Sequence, residues 1–398
     1  MPRRIESGFN KGYRAVRRAI RLLRGYPVVF DVNHSAGKVR RQRALLVYLT
    51  EPFLLKETDP IFYWHQNFRQ SRQIAAVLDE YGYVVDVADI ADKRFVPDRP
   101  YDLVVSHRVD LDPGHEFFKN AIRVYLATGM NHIVHNRCVR SRYQDVAQRR
   151  GCTLKVLEIH TEEMPFVSRA KAICTFGNSL IALTWKEKFA VPVFPFNNYA
   201  FTESFTWEIK RDFPKARNCF LFFATSSQVR KGLDLLLEIF PKYPQLQLFV
   251  CSKFADEPDF CRCYDRELFH TPNIHPLGIV HLHSPLFKEL IETCAYVIAP
   301  SCTEGQSGAV VQCMAFGLIP IISRENGIDG EDFCVNLENL SLEAIEKTIR
   351  QMSEMPEAWL QERSSKTREA ASMKFSEVAF QKRWREMLTQ ILTRGEVR

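Results

Sequence analysis

The stretch Pro300–Ser323, PSCTEGQSGAVVQCMAFGLIPIIS, carries the reading of the whole chain. It follows AYVIA (Ala295–Ala299), a short apolar run with β-branched residues that reads as a strand. The turn SCTEGQSG comes next. AVVQCMAFG then has the spacing of a helix that stops at Gly317, and LIPIIS is a second strand. This is a βαβ unit, in which free N–H groups at the helix start attract phosphate or carboxylate. Glu304 is out of place in an anion site, because a carboxylate repels the anion. It suits hydrogen bonds from hydroxyls attached to a bound phosphate, and a nucleotide sugar carries both groups. The plainer alternative is a buried βαβ turn whose glutamate caps the helix.

A second segment lies upstream. In NCFLFFATSSQVRKGLDLLLEIF (Asn218–Phe240), FLFFA is a buried strand, TSSQ a polar turn and KGLDLLLEIF a helix with Leu233, Leu236, Leu237 and Phe240 on its apolar side. Together the two segments resemble retaining glycosyltransferases of the GT-B fold, family 4. That signature runs PSxxEGxGxxxxEAMAxGxPVV, preceded by a strand, a GRxxxxKG phosphate loop and a helix. The matching residues are Pro300, Ser301, Glu304, Gly305, the small residue Gly308, Met314, Ala315, Gly317, Pro320, Lys231 and Gly232. The likeness is collinear from about residue 218 to 340 through LQLFVCSKF, PNIHPLGIV and SPLFKELIETC, and weaker across the N-terminal half.

The resemblance implies roles. Glu304 would hold the donor sugar's hydroxyls, and position 312 the ribose. The family has a second glutamate there, whereas this chain has Gln312, which cannot give a carboxylate's charge-assisted bonds. Lys231 would face the donor diphosphate. The family's other phosphate cation falls at Ser226; Ser226, Ser227 and the helix start from Gln306 through Ser307 to Gly308 would supply donors instead. Arg230 either replaces the missing guanidinium or is a solvated neighbour of Lys231.

At 398 residues and 46% apolar content, the chain fits two α/β domains of roughly 150–200 residues each. No run approaches the roughly 18 apolar residues of a membrane span, and no signal peptide is visible. Eleven scattered cysteines, an odd count, fit no disulfide framework, and no Cys or His spacing suits zinc. A reducing cytoplasm is the expected home.

The net charge of +7 is concentrated at the start: residues 1–26 hold eight basic residues against Glu6, and the remainder is balanced. Phe9, Tyr13, Val16, Ile20 and Leu23 form one helical face ringed by arginines, the pattern of a helix lying on anionic lipid. A solvated basic tail, a nucleic-acid arm and a transit peptide compete with that reading. We expect the membrane surface rather than nucleic acid, and a peripheral location on the inner face of the cell membrane.

The N-terminal half reads as a second Rossmann-like domain. ALLVYLTEPF is a strand entering a loop; SRQIAAVLDEYGYVVDVADI is a helix, a turn at Gly82 and a strand; YDLVVSH is a strand. KNAIRVYLATG reads as a helix closed by Gly129, NHIVHN as a strand, and AKAICTFGN as a strand and loop. Loops beyond parallel strands gather where ligands bind. His65, His107, His132, His135, Arg137 and Asn178 lie in or beside them, and the resemblance makes this the acceptor domain, with His65 or His135 facing the reacting sugar. Arg137, Arg140 and Arg142 would hold an acceptor pyrophosphate or decorate a solvated helix start. Asp110 and Asp112 spell the metal motif of another glycosyltransferase fold, but beside Pro113-Gly114 they read as a turn.

The expected division is a basic helix at 1–26, an acceptor domain at 27–200, a linker at 201–217, a donor domain at 218–370 and a helix at 371–398 crossing back to the N-terminal domain, with Val378, Trp384, Leu388 and Ile391 on one side. The implied activity is metal-independent transfer, with retention, from a nucleotide-diphosphate sugar to a glycan or lipid-linked acceptor in cell-surface polysaccharide synthesis, without a cofactor. Two alternatives stay open: a degenerate protein that only binds nucleotide sugar, and a sugar-nucleotide epimerase on the same fold.

Overall fold

The computed structural model describes residues 26–33, 42–56, 59, 62, 66–202 and 205–393. Most of the expected basic helix (residues 1–25) and His65 lie outside them. Two six-stranded parallel sheets organise the chain, with flanking helices. The first has the order β2-β1-β3-β4-β5-β6, from β1 (Gln42–Tyr48), β2 (Tyr83–Asp89), β3 (Leu103–Ser106), β4 (Ile122–Ala127), β5 (Ala172–Phe176) and β6 (Val193–Phe196). The second has the order β12-β11-β10-β7-β8-β9, from β7 (Cys219–Phe223), β8 (Gln247–Cys251), β9 (Ile274–Pro276), β10 (Tyr296–Ala299), β11 (Ile319–Ile322) and β12 (Val335–Asn336). Reading the second sheet from β9 gives the Rossmann order, with its reversal between β7 and β10.

Strands buried on both faces carry nearly unbroken apolar runs. Tyr296, Val297 and Ile298 in β10 are fully buried, as are Phe220 and Leu221 in β7. The helices used below are α1 (Gln66–Glu80), α2 (His132–Arg150), α3 (Ser179–Lys186), α4 (Gln228–Lys231), α5 (Leu233–Ile239), α6 (Pro285–Thr293), α7 (Gly308–Ala315), α8 (Glu357–Lys374) and α9 (Glu377–Thr393). The chain divides into two compact units: Met1–Tyr125 with Pro165–Lys171, and Leu126–Met164 with Ala172–Arg398. In the second unit α2 and its following loop therefore share a body with the C-terminal sheet.

Four expectations are corrected. IRVYLA is the strand β4, and NHIVHN opens the helix α2. The apolar, β-branched run favours a buried strand, while the Asn131 side chain caps α2 by accepting from the Ile133 N–H at 3.0 Å. The helix read through KGLDLLLEIF is broken at Gly232 into α4 and α5. Cys152 and Cys263 form a disulfide across 111 positions, where none was expected. Finally, α9 buries Phe380, Trp384, Met387, Leu388 and Ile391, but Val378 stays 72% exposed in its first turn. The buried face of α9 packs on Phe196 and Tyr199 through Phe380.

Candidate active site at the sheet reversal

The two loops that leave β7 and β10 meet at the reversal of the second sheet. Gly232 makes this possible. Its φ is +80°, and a Cβ there would stand 2.3 Å from the Pro300 carbonyl oxygen, so any side chain would hold the loops apart. The Cys302 N–H also donates to the Arg230 carbonyl at 2.9 Å. Arg230 and Lys231, at the end of α4, are thereby set against Thr303 and Glu304.

Lys231 Nζ donates to Glu304 Oε1. Arg230 stands 3.1 Å from the same oxygen and donates to the Thr303 carbonyl at 2.9 Å. All three side chains are largely buried: Arg230 is 9% exposed, Glu304 11% and Lys231 13%. Burial disfavours ionised Glu304, but the Lys231 ammonium and Arg230 guanidinium overcome it and hold the carboxyl down at about 2. Burial likewise pulls Lys231 below its usual range, opposed by Glu304. The cluster is a compact salt bridge of two cations on one carboxylate.

A second acid reaches this loop from the segment after α2. Glu158 Oε2 lies 2.7 Å from Arg230 Nε, and Glu158 Oε1 accepts from Ser226 Oγ at 3.2 Å. A third, Glu257, takes the backbone: it accepts from the Ser227 N–H at 2.6 Å and from the Gln228 N–H at 3.2 Å. Sequence reasoning missed Glu158 and Glu257. Neither belongs to a motif, and each reaches the loop from far along the chain, 68 positions from Ser226 and 30 from Ser227.

His135 belongs to the same neighbourhood without being free to act on a substrate. Its Nε2 is 2.8 Å from the Glu158 carbonyl and its Nδ1 is 3.3 Å from Thr303 Oγ1. A carbonyl only accepts, so Nε2 carries the proton and Nδ1 accepts from the hydroxyl. Burial pushes the imidazole below its ordinary pKa, keeping it neutral. His135 thus braces Thr303, next to Glu304, and no ring nitrogen remains for a reacting sugar.

The other expected residues separate from the cluster. Gln312 is 1% exposed; its Oε1 accepts from the Phe201 N–H at 2.8 Å and its Nε2 donates to the Phe201 carbonyl at 2.9 Å. Both ends of the amide are spent on the chain connecting β6 to β7, so this residue does not meet the expectation of a ribose ligand. The amide also explains the departure from glutamate. A carboxylate could accept from the N–H but would repel the carbonyl. Gln306 does similar work, accepting from the Asn198 N–H at 2.6 Å and donating to the Gly327 carbonyl at 2.8 Å. Ser307 caps α7 by accepting from Val310 N–H, and Gly308 is the first helical residue.

Asn178 caps α3 and donates to Asp329 at 2.8 Å. Arg137 and Arg140 are exposed on α2, but Arg142 is buried against Asp234 at 2.5 Å, so the three arginines do not form one cluster. In the other unit Asp110 pairs with Arg108 at 3.0 Å and Asp112 accepts from the Gly114 N–H at 2.8 Å, a closed turn. No group of three or more metal-ligating side chains occurs among the described residues, and no described helix is long and apolar enough to cross a membrane.

Residues 217–354, which contain the Lys231 and Glu304 loops, match the family described as glycosyl transferases group 1. This region is similar to a glycosyltransferase domain. The fold of the chain is GT-B, as three solved structures illustrate. A variant of TarM from S. aureus, in complex with fondaparinux, α-GlcNAc-glycerol and UDP, has a TM-score of 0.53 at 13% identity over 75% of this chain and 57% of its own. This chain thus spans little more than half the length of TarM. Sucrose-phosphate synthase from Thermosynechococcus elongatus has a TM-score of 0.61 at 12% identity, over 89% of this chain and 100% of its own. WaaG, a glycosyltransferase involved in lipopolysaccharide biosynthesis, has a TM-score of 0.55 at 14% identity, over 87% of this chain and 99% of its own. No curated protein sequence matches the chain.

Proposed function

We propose that this protein transfers a sugar from a nucleotide-diphosphate sugar to a glycan or lipid-linked acceptor, with retention of anomeric configuration. The observation that carries the reading is the pairing of Lys231 and Arg230 with Glu304 at the reversal of a Rossmann sheet. Ligands bind at such reversals, and a buried cation pair beside a carboxylate suits a phosphate with a hydroxylated group attached. On donor binding, Lys231 and Arg230 take the phosphates, and Glu304 accepts hydrogen bonds from the sugar's hydroxyls. The leaving diphosphate gains negative charge as the glycosidic bond breaks, so fixed cations lower the barrier. The departing phosphate oxygen accepts the acceptor's proton, which fits a site where His135 is bonded at both nitrogens.

Transfer is metal-independent in this reading, and excess EDTA leaves the rate unchanged. TarM in complex with UDP, and WaaG in lipopolysaccharide biosynthesis, make UDP-sugars and saccharide acceptors the first substrates to try. Cell-surface polysaccharide synthesis at the inner face of the membrane, with residues 1–26 as lipid contact, completes the proposal; deleting residues 1–24 then abolishes binding to anionic liposomes. The deciding experiment is a thermal-shift screen against UDP-, GDP-, ADP- and dTDP-sugars, followed by turnover with the donor that binds. A second reading, a protein that binds nucleotide sugar without turnover, is favoured by Gln312 being spent on Phe201. Saturable binding with no transfer to any acceptor would select it.

A further inference from the structure

The backbone of Glu158 is fixed beside α4 by the groups around it. Its backbone is left-handed, with φ at 56°, a conformation that residues with side chains adopt at a cost and keep where the surroundings fix it. The segment is anchored on both sides. Before it, Cys152 is bonded to Cys263, and the Lys155 N–H donates to Asp259 at 2.7 Å. After it, the His160 N–H donates to Asn136 at 2.9 Å, and the Glu158 carbonyl itself takes the His135 ring proton.

The result places one carboxylate oxygen on a guanidinium and the other on a serine hydroxyl. Guanidinium and hydroxyl are also the donors that grip a phosphate. The partners differ in freedom: the Glu158 side chain is 34% exposed, whereas Arg230 is 9% exposed and is also tied to Thr303 and Glu304. Glu158 can turn into water; Arg230 cannot follow it.

We infer that Glu158 is a built-in competitor for the donor: its carboxylate occupies Arg230 and Ser226 in place of a donor phosphate, and the nucleotide enters by displacing it. This rests on the reading of residues 226–231 as the diphosphate loop. Removing the charge of Glu158 then tightens nucleotide binding, although an acid near a ligand site ordinarily marks a contact whose loss weakens it.

Calorimetric titration of the 398-residue chain with UDP, GDP, ADP and dTDP tests this for Glu158→Gln and for Glu163→Gln, which removes an equal charge from an exposed position of the same segment. The expected result is about tenfold tighter binding for Glu158→Gln and less than about twofold change for Glu163→Gln. Equal changes in the two variants, or weaker binding by Glu158→Gln, overturn the inference. If no diphosphate binds either the parent protein or the variants, the diphosphate-loop reading falls and takes the inference with it. Hydrogen exchange on the unmutated protein gives a second measure: saturating UDP, or whichever diphosphate binds, should speed exchange in residues 156–160 while slowing it in 226–232. Slower exchange in both segments means that Glu158 stays in place, and the inference fails.

Discussion

Two clusters of arginine and carboxylate lie in the same compact unit, one on each side of the break at Gly232 between α4 and α5. In one, Arg142 and Arg149 from α2 share Asp234 at 2.5 and 2.7 Å, with Glu238 3.2 Å from Arg149. In the other, Arg230 and Lys231 share Glu304, with Glu158 beside them. The chemistry is nearly the same, but the settings differ. Asp234 is fully buried and sits between two arginines of one long helix. The second cluster lies at a sheet reversal, with Glu158 34% exposed. A closed ion cluster fixes the packing of α2; an open one can exchange its carboxylates for a ligand. Ion pairing alone therefore does not mark function; position in the sheet order does.

The largest effect expected from breaking this comparison belongs to the closed cluster. Asp234→Ala removes the fully buried carboxylate that Arg142 and Arg149 share, leaving them only Asp145 and Glu238, and should cost about 3–5 kcal/mol in denaturant-induced unfolding. A cost below about 1 kcal/mol would mean that the cluster is not closed. Glu304→Ala should lower turnover at least about a hundredfold, which is about 2.7 kcal/mol of transition-state stabilisation. Full activity in that variant removes the central functional claim.

Gln312→Glu restores the residue expected from the family pattern, yet it should destabilise the protein by about 2 kcal/mol by setting a carboxylate against the Phe201 carbonyl. A stable variant with tighter nucleotide binding would return position 312 to the ribose. The smallest effect is a slope in pH. Burial lowers His132 and His135, and desolvation together with those two neighbouring rings lowers the more exposed His160, so the unfolded chain takes up protons first as pH falls. Stability should therefore decline between about pH 6.5 and 4, and His160→Gln should flatten the decline in melting temperature. A melting temperature that rises as pH falls through that window contradicts this account.

The open cluster was half legible in the sequence. Lys231 and Glu304 stand in loops whose strands and helices announce themselves by apolar periodicity, and the two sheets follow from runs such as ALLVY in the first and FLFFA in the second. Ile122–Ala127 was misread because a compact apolar run before a glycine fits a short helix as well as a strand, and only pairing with β3 decides it. Glu158 could not be found, since it reaches Arg230 from an irregular segment 72 positions away. The role of Gln312 was hidden for another reason: its partner is a backbone N–H and C=O, which every residue but proline possesses and no side chain announces.

The Cys152–Cys263 bond also changes what kind of object the chain is. Its covalent skeleton is a closed ring from residue 152 to 263 with two tails. A protease that cuts once inside the ring opens it without shedding a fragment, and the two pieces migrate together on a gel until a reductant is added. One that cuts outside the ring releases a piece at once. Oxidised and reduced samples would therefore give different fragment patterns from the same cuts.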